Sequence, residues 1–332
     1  MKNILACFVF LIVLYSCSGE NDRLNTNVID LPFEEMIIEP FIGKPYQIAA
    51  LDSFLVLADN WDEKSLLVYN LNNNSYKRCI ALGQGPHDVI TPIDLDVFKS
   101  ELIILQRRTG ECRVYNMAKL FNDNEIGYQK IYLKNADRCC KIDEGYMFLG
   151  YNDSGIFSFL DNRDSLLVSV DFNDFSVKDA SIKYKLLQGN IAYSVQDKVL
   201  IYVPYFSSFI KFYSYDGNKW SVNKTVQIGE NRIENRILEK QRLDIFDDDK
   251  RFCLDVCVMH DDFYVLYDGQ YMGQKETAKY RYILKYKSNG EYVCSYRVNP
   301  TITNICMFNN TIYALMLSEK DGEHVIGKAV FK

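Results

Sequence analysis

No Pro/Gly/Ser-rich stretch interrupts the 332 residues, so nothing marks a linker between domains. No basic tract is present either. Lys and Arg are scattered and the formal net charge is −6, which argues against a nucleic-acid-binding surface. Histidine is scarce, and His87, His260 and His324 are not spaced to complete a zinc site with Cys253-x₃-Cys257. There is no Gly-x-Ser-x-Gly elbow and no His-Glu-x-x-His helix. The run Asp247-Asp248-Asp249 lacks the Gly and the closing Glu of a calcium loop, and reads as a solvated turn. No cofactor is expected from these motifs.

What is present is a short hairpin written six times: LDSFLVLAD (51–59), VFKSELIILQ (97–106), IDEGYMFLGY (142–151), VQDKVLIYV (195–203), MHDDFYVLYD (259–268) and MFNNTIYALM (307–316). Matching turn positions are Ser53, Ser100, Gly145, Lys198, Asp262 and Asn310, at steps of 47, 45, 53, 64 and 48 residues. β-formers around polar turns at this period predict a ring of small antiparallel sheets. A further strand–turn–strand follows most copies, as in 66–82, 166–182, 209–228 and 282–298, with turns at Asn72-Asn73-Asn74, Asn173-Asp174, Asp216-Gly217-Asn218 and Ser288-Asn289-Gly290. The fold predicted is all-β: a six-bladed propeller of four-stranded blades A to D. The last blade has only three strands of its own, so its outer strand is expected from residues 28–33 or 36–41, which removes an open sheet edge. An enlarged turn is expected at 119–127. The long step holds residues 230–251, where Ile233, Ile237, Leu238, Gln241 and Ile245 roughly keep helical period; one helix is expected across the ring between blades 4 and 5.

Residues 1–16 read as a lipoprotein signal peptide. Lys2 is the positive start, residues 4–14 are apolar but too short to span a bilayer, and Leu14-Tyr15-Ser16-Cys17 fits a lipobox. Cys17 is the expected lipidation site, residues 17–27 a tether, and residues 28–332 the propeller. Lipid on Cys17 implies membrane attachment and an outer-membrane lipoprotein, on either side of that membrane. Among the remaining cysteines, Cys112, Cys294 and Cys306 read as small buried hydrophobes, and strand alternation puts Cys253 and Cys257 on one face.

The lipobox, the six-unit repeat, Gly83-Gln84-Gly85-Pro86 and the segment from Phe263 to Gly269 together resemble the TolB-like six-bladed propeller lipoproteins of Bacteroidetes-type bacteria. The resemblance covers essentially all of the mature chain. It departs at His87, which precedes Asp88 where the family carries an acid directly, and at Asp268, which replaces Ser. It implies a six-bladed propeller in the cell envelope, and by analogy with TolB a protein partner. Gly83, Gly85 and Pro86 read as a structural blade-to-blade turn, the glycines supplying positive φ.

In a propeller the D–A and B–C connections share one face. Trp61, His87, Asp88, Arg107, Arg108, Arg138, Tyr205, Gln270 and Tyr271 fall on it and form the candidate ligand-binding face, for a protein or a glycan, in a monomer. No catalytic or metal-binding residue is assigned. Asp94, Asp96, Asp137 and Asp255 lie in or beside inner strands without recurring at one blade position. The competing reading is a metal-dependent hydrolase or lactonase-like enzyme, which requires several of Asp94, Asp137, Asp255, Asn304 and His87 to converge.

Overall fold

The structure, a computed structural model, describes residues 27–122, 127–152, 155–162, 166–168, 179–230, 232–240, 242–274 and 279–331. The expected signal peptide, Cys17, most of the expected tether and the expected Asn173-Asp174 turn lie outside these residues.

Two short strands, β1 (Val28–Asp30) and β2 (Glu34–Glu35), come first. Blade 1 is β3–β6 (Pro45–Leu51, Phe54–Trp61, Lys64–Asn70, Tyr76–Ala81). Blade 2 is β7–β10 (Ile93–Phe98, Glu101–Gln106, Glu111–Asn116, Tyr128–Tyr132), with helix α1 (Met117–Asn122) in the turn expected to be enlarged. Blade 3 is β11–β14 (Ala136–Ile142, Gly145–Asn152, Gly155–Asp161, Leu166–Val168) and blade 4 is β15–β18 (Gly189–Ser194, Val199–Pro204, Phe209–Tyr215, Trp220–Gln227). Helix α2 (Ala180–Leu186) lies between them and α3 (Arg232–Lys240) follows blade 4. Blade 5 is β19–β22 (Lys250–Met259, Asp262–Tyr271, Arg281–Tyr286, Tyr292–Val298) and blade 6 is β23–β25 (Asn304–Phe308, Thr311–Leu317, His324–Val330). The six-bladed propeller is therefore present.

Every inner hairpin turns through residues with positive φ: Asp52, Lys99, Gly145, Lys198, His260 with Asp261, and Asn309. Small or polar side chains tolerate that conformation best, which is why the turns are visible in the sequence. Apolar side chains from facing blades fill each junction. Ala49, Val56 and Ala58 of blade 1 share a cluster with Leu95, Leu102 and Ile104 of blade 2, and Ile201 and Val203 of blade 4 share one with Phe263 and Val265 of blade 5.

Three expectations need correction. The outer strand of blade 6 is β2, which pairs Glu34 with Lys328 and Glu35 with Gly327; it falls between the two segments proposed. Residues 28–30 instead add a parallel fifth strand to blade 5, with Val28 opposite Ser295 and Asp30 opposite Arg297. Within 166–182 only Leu166–Val168 pairs as the described part of a strand, and the end of the segment is α2, whose first turn is capped by Asp179 accepting from the Ser181 and Ile182 amides. Cys253 and Cys257 do not share a face. The register of β19 slips between Cys253 and Asp255, so Cys253 packs toward blade 4 and Cys257 toward blade 6. Helix α3 does occupy the expected insertion, burying Ile233 and Ile237 in the core shared by blades 3 and 4.

Candidate functional site

The inner strands line a central cavity of about 370 Å³. One end is walled by Gln47, Asp94, Arg138 and Asn190; the other reaches Lys99, Val195, His260 and Asp261 in the A–B turns. The polar side chains of this channel have a specific task. Neighbouring inner strands belong to different sheets, so their backbones need side chains to bridge them. Gln47 of blade 1 both accepts from the Leu95 amide (2.9 Å) and donates to the Leu95 carbonyl (3.0 Å) of blade 2. Asp94 and Asp96 of blade 2 accept from the Cys139 (2.9 Å) and Lys141 (2.7 Å) amides of blade 3. Arg138 of blade 3 donates to Asn190 of blade 4 (2.9 Å), and Asn190 donates to the Leu254 carbonyl of blade 5 (2.7 Å). Asp255 of blade 5 accepts from the Ile305 amide of blade 6 (2.9 Å). Polar residues thus recur on the inner strands at five of the six junctions among the described residues. Their identity changes from blade to blade, which hides the recurrence in the sequence.

Burial governs the chemistry of these groups. It pushes Asp96 up to about 7 and Asp255 up to about 6, against the amides that favour their charged forms. It raises Asp94 as well. Burial also holds the channel-lining thiols of Cys140, Cys257 and Cys306 well above the usual cysteine range, so they stay protonated and unreactive. The described cysteines are all free. Among the described residues, no three His, Cys, Asp or Glu side chains stand close enough together to hold a metal ion.

The residues of the expected binding face separate into three groups. Arg107 pairs with Asp137, and Arg138 is enclosed by Asn190 and the Tyr205 hydroxyl (2.6 Å), so these serve the blade junctions. The turn at Gly83-Gln84-Gly85-Pro86 is drawn toward the outermost strand of blade 2. The Pro86 carbonyl accepts from the Tyr128 hydroxyl (2.6 Å), and the His87 ring lies edge-on to Tyr128. Neither Gly83 nor Gly85 has positive φ. A Cβ on either would stand 2.5 or 2.6 Å from the Asp88 carboxylate, which accepts from the Gly85 amide and would have to turn away. The third group faces solvent: Trp61 is 44% exposed beside Phe41, Tyr271 is 45% exposed next to Gln270, and Arg108 is exposed.

Sequence reasoning missed two clusters on this face. Asp268 is buried between Arg251 and Arg281, both at 2.7 Å. An acid where the resembled pattern has Ser was the visible signal in the segment after Phe263, but both cationic partners lie distant in sequence. Asp249 is buried beneath α3, where one carboxylate oxygen accepts from Arg236 and from the Phe246 amide (2.7 Å). The run of three aspartates conceals it, because only the last of them is buried.

No family model matches the chain, and no curated protein does. Solved structures do. A Bacteroides fragilis protein described as exported aligns at 14% identity over 91% of this chain and 95% of its own, with a TM-score of 0.59. A member of the DUF4221 family from Bacteroides vulgatus aligns at 9% identity over 92% and 99%, with a TM-score of 0.52. Regucalcin of Agrobacterium tumefaciens, a calcium-binding protein, aligns at 9% identity over 92% and 97%, with a TM-score of 0.53. At such identities the likeness is one of fold. Among the described residues, no helix is long and apolar enough to cross a membrane.

Proposed function

We propose that the chain is a monomeric TolB-like propeller lipoprotein of the outer membrane. Lipid on Cys17 anchors it once residues 1–16 are removed, and residues 17–27 tether the ring. The D–A and B–C face binds a protein or glycan, without a cofactor and without catalysis. The observation that carries this reading is the exposure of Trp61, Arg108 and Tyr271 at strand ends of one rigid face. Aromatic and Arg side chains held on a fixed scaffold bind with little ordering cost. The carboxylates that a metal-dependent hydrolase would use are instead occupied by neighbouring amides: Asp94 by Cys139, and Asp255 by Ile305.

One experiment tests both halves. The full chain, its Cys17→Ser variant and the combined Trp61→Ala, Arg108→Ala, Tyr271→Ala variant are expressed and fractionated, then immobilised and exposed to labelled envelope extract. Cys17→Ser is expected in the soluble fraction, and the face variant is expected to retain less than a tenth of the wild-type material with its fold intact. A membrane-bound Cys17→Ser protein overturns the anchor; equal retention by the face variant overturns the face.

A further inference from the structure

The insertion between blades 4 and 5 leaves a cleft of about 160 Å³ on the D–A and B–C face. Its lining includes Glu230, Arg232, Asp249, Lys250, Phe252 and Tyr271. A second, more open hollow adjoins it, and Arg232, Asp248 and Tyr271 line both. The walls are fixed. Arg236 ties α3 to Asp249, the Met272 amide donates to the Asp249 carbonyl (2.8 Å), and the Gly273 amide donates to the Asp247 carbonyl (2.9 Å).

Two features of the cleft have no structural use among the described residues. The Oδ1 atom of Asp249 is buried without a hydrogen-bond partner, although the residue is only 1% exposed. A buried polar atom left unpaired costs about 1–3 kcal/mol, more when charged, and the Nε of Arg236, whose other nitrogen already pairs with this carboxylate, is unpartnered as well; the ion pair thus leaves over one acceptor and one donor, which a single hydroxyl can meet. Tyr271 is the opposite case: a large aromatic ring left 45% in solvent, with the Lys250 ammonium 5.0 Å from its centre. An acceptor at the wall, an exposed ring and a rim of Glu230, Arg232 and Lys250 suit a ligand with many hydroxyl groups and one apolar face. The central channel is larger, but its polar groups already hold the blades together.

We propose that this cleft binds a saccharide unit of a neutral glycan, a hydroxyl donating to Asp249 Oδ1 and the apolar face of the sugar ring stacking on Tyr271. This rests on the binding reading above and narrows it to one site and one ligand class. The mixed charge of the rim, with Glu230 and Asp248 beside Arg232 and Lys250, favours an uncharged ligand over an anionic one.

The test uses the purified full chain on a printed array of neutral oligosaccharides (gluco-, manno-, xylo- and galacto-configured hexamers), followed by titration calorimetry with whichever hexamer binds. Tyr271→Ala is expected to lower affinity at least 10-fold, while Tyr132→Ala, an exposed ring on the outer strand of blade 2, leaves it unchanged. Asp249 also anchors α3, so Asp249→Asn is accompanied by Glu230→Gln, which alters the rim without touching that anchor; each is expected to weaken binding with the circular dichroism spectrum unchanged for Glu230→Gln. A blank array, or affinity insensitive to both Tyr271→Ala and Glu230→Gln, overturns the saccharide site. If the array is blank while envelope protein is retained by wild type and lost from the face variant, the glycan inference falls and the binding reading stands. If neither is retained, both fall.

Discussion

At the scale of single residues, the channel shows carboxylates placed where charge is costly. Asp96 accepts from the Lys141 amide, yet burial wins and its pKa rises from 3.8 to about 7. The sign follows directly. Below about pH 4 the side chain is protonated in both folded and unfolded chains. Between about pH 4 and 7 only the folded protein holds the proton, so stability falls as pH rises through this window and is level above it. Asp255 acts in the same direction up to about pH 6. Asp96→Asn keeps an oxygen for the Lys141 amide and removes the titration. Its stability relative to wild type should therefore climb between pH 4.5 and 7.5, with a limiting slope of about 1.4 kcal/mol per pH unit. Urea unfolding at three pH values checks this, and parallel profiles for the two proteins would refute it.

At the scale of elements, the inner strands depend on side chains that cross between sheets. Asn190 is the clearest case, because it donates to the Leu254 carbonyl and accepts from Arg138 (2.9 Å) and the Tyr205 hydroxyl (3.2 Å). Leu254 is the residue left over by the slip in β19, and the bulge turns its carbonyl toward blade 4. Asn190→Ala would orphan that carbonyl and part of a buried guanidinium, and should cost about 2–4 kcal/mol in chemical unfolding. A loss within the range of an exposed substitution such as Trp61→Ala would show that the bridge is dispensable. These elements also show what the sequence can reveal. The A–B turns were legible because positive φ favours Asp, Asn and Gly and because the other turn positions, Lys99 and Lys198 among them, are polar between apolar strands. The slip in β19 was not, because KRFCLDVCVM reads as a continuous strand and only its partners in blades 4 and 6 favour the bulge. Helix α2 lay between these cases: Asp179 is an ordinary N-cap signal, outweighed by the strand-like run before it. On the D–A and B–C face, exposed Trp61 and Tyr271 were readable, whereas the orphan oxygen of Asp249 depends on which of three identical neighbours is buried.

At the scale of the whole molecule, the ring is closed by strands that precede blade 1. β2 completes blade 6 and β1 runs beside blade 5, so one stretch of eight residues, 28–35, clasps the last two blades. Backbone and apolar contacts do most of this. The Leu31 amide donates to the Arg297 carbonyl (3.0 Å), the Met36 amide donates to the Ile326 carbonyl (2.8 Å), and Leu31 is 7% exposed. The Asp30–Arg297 pair is bidentate but open to water on both sides, where ion pairs contribute little. Two variants separate these contributions. Asp30→Ala should leave the unfolding midpoint where it is. Removing residues 1–35 should lower stability by about 3–5 kcal/mol, from lost backbone bonds and the burial of Leu31 and Phe33. It also bares the edge of β25 around Gly327 and Lys328, beside a Val330 already 59% exposed. An unpaired edge of this kind recruits another strand, so the truncated chain should self-associate with rising concentration in light scattering while the intact chain stays monomeric. If the truncated chain remains a monomer of unchanged stability, the ring is held by its blade junctions alone and the N-terminal clasp is incidental.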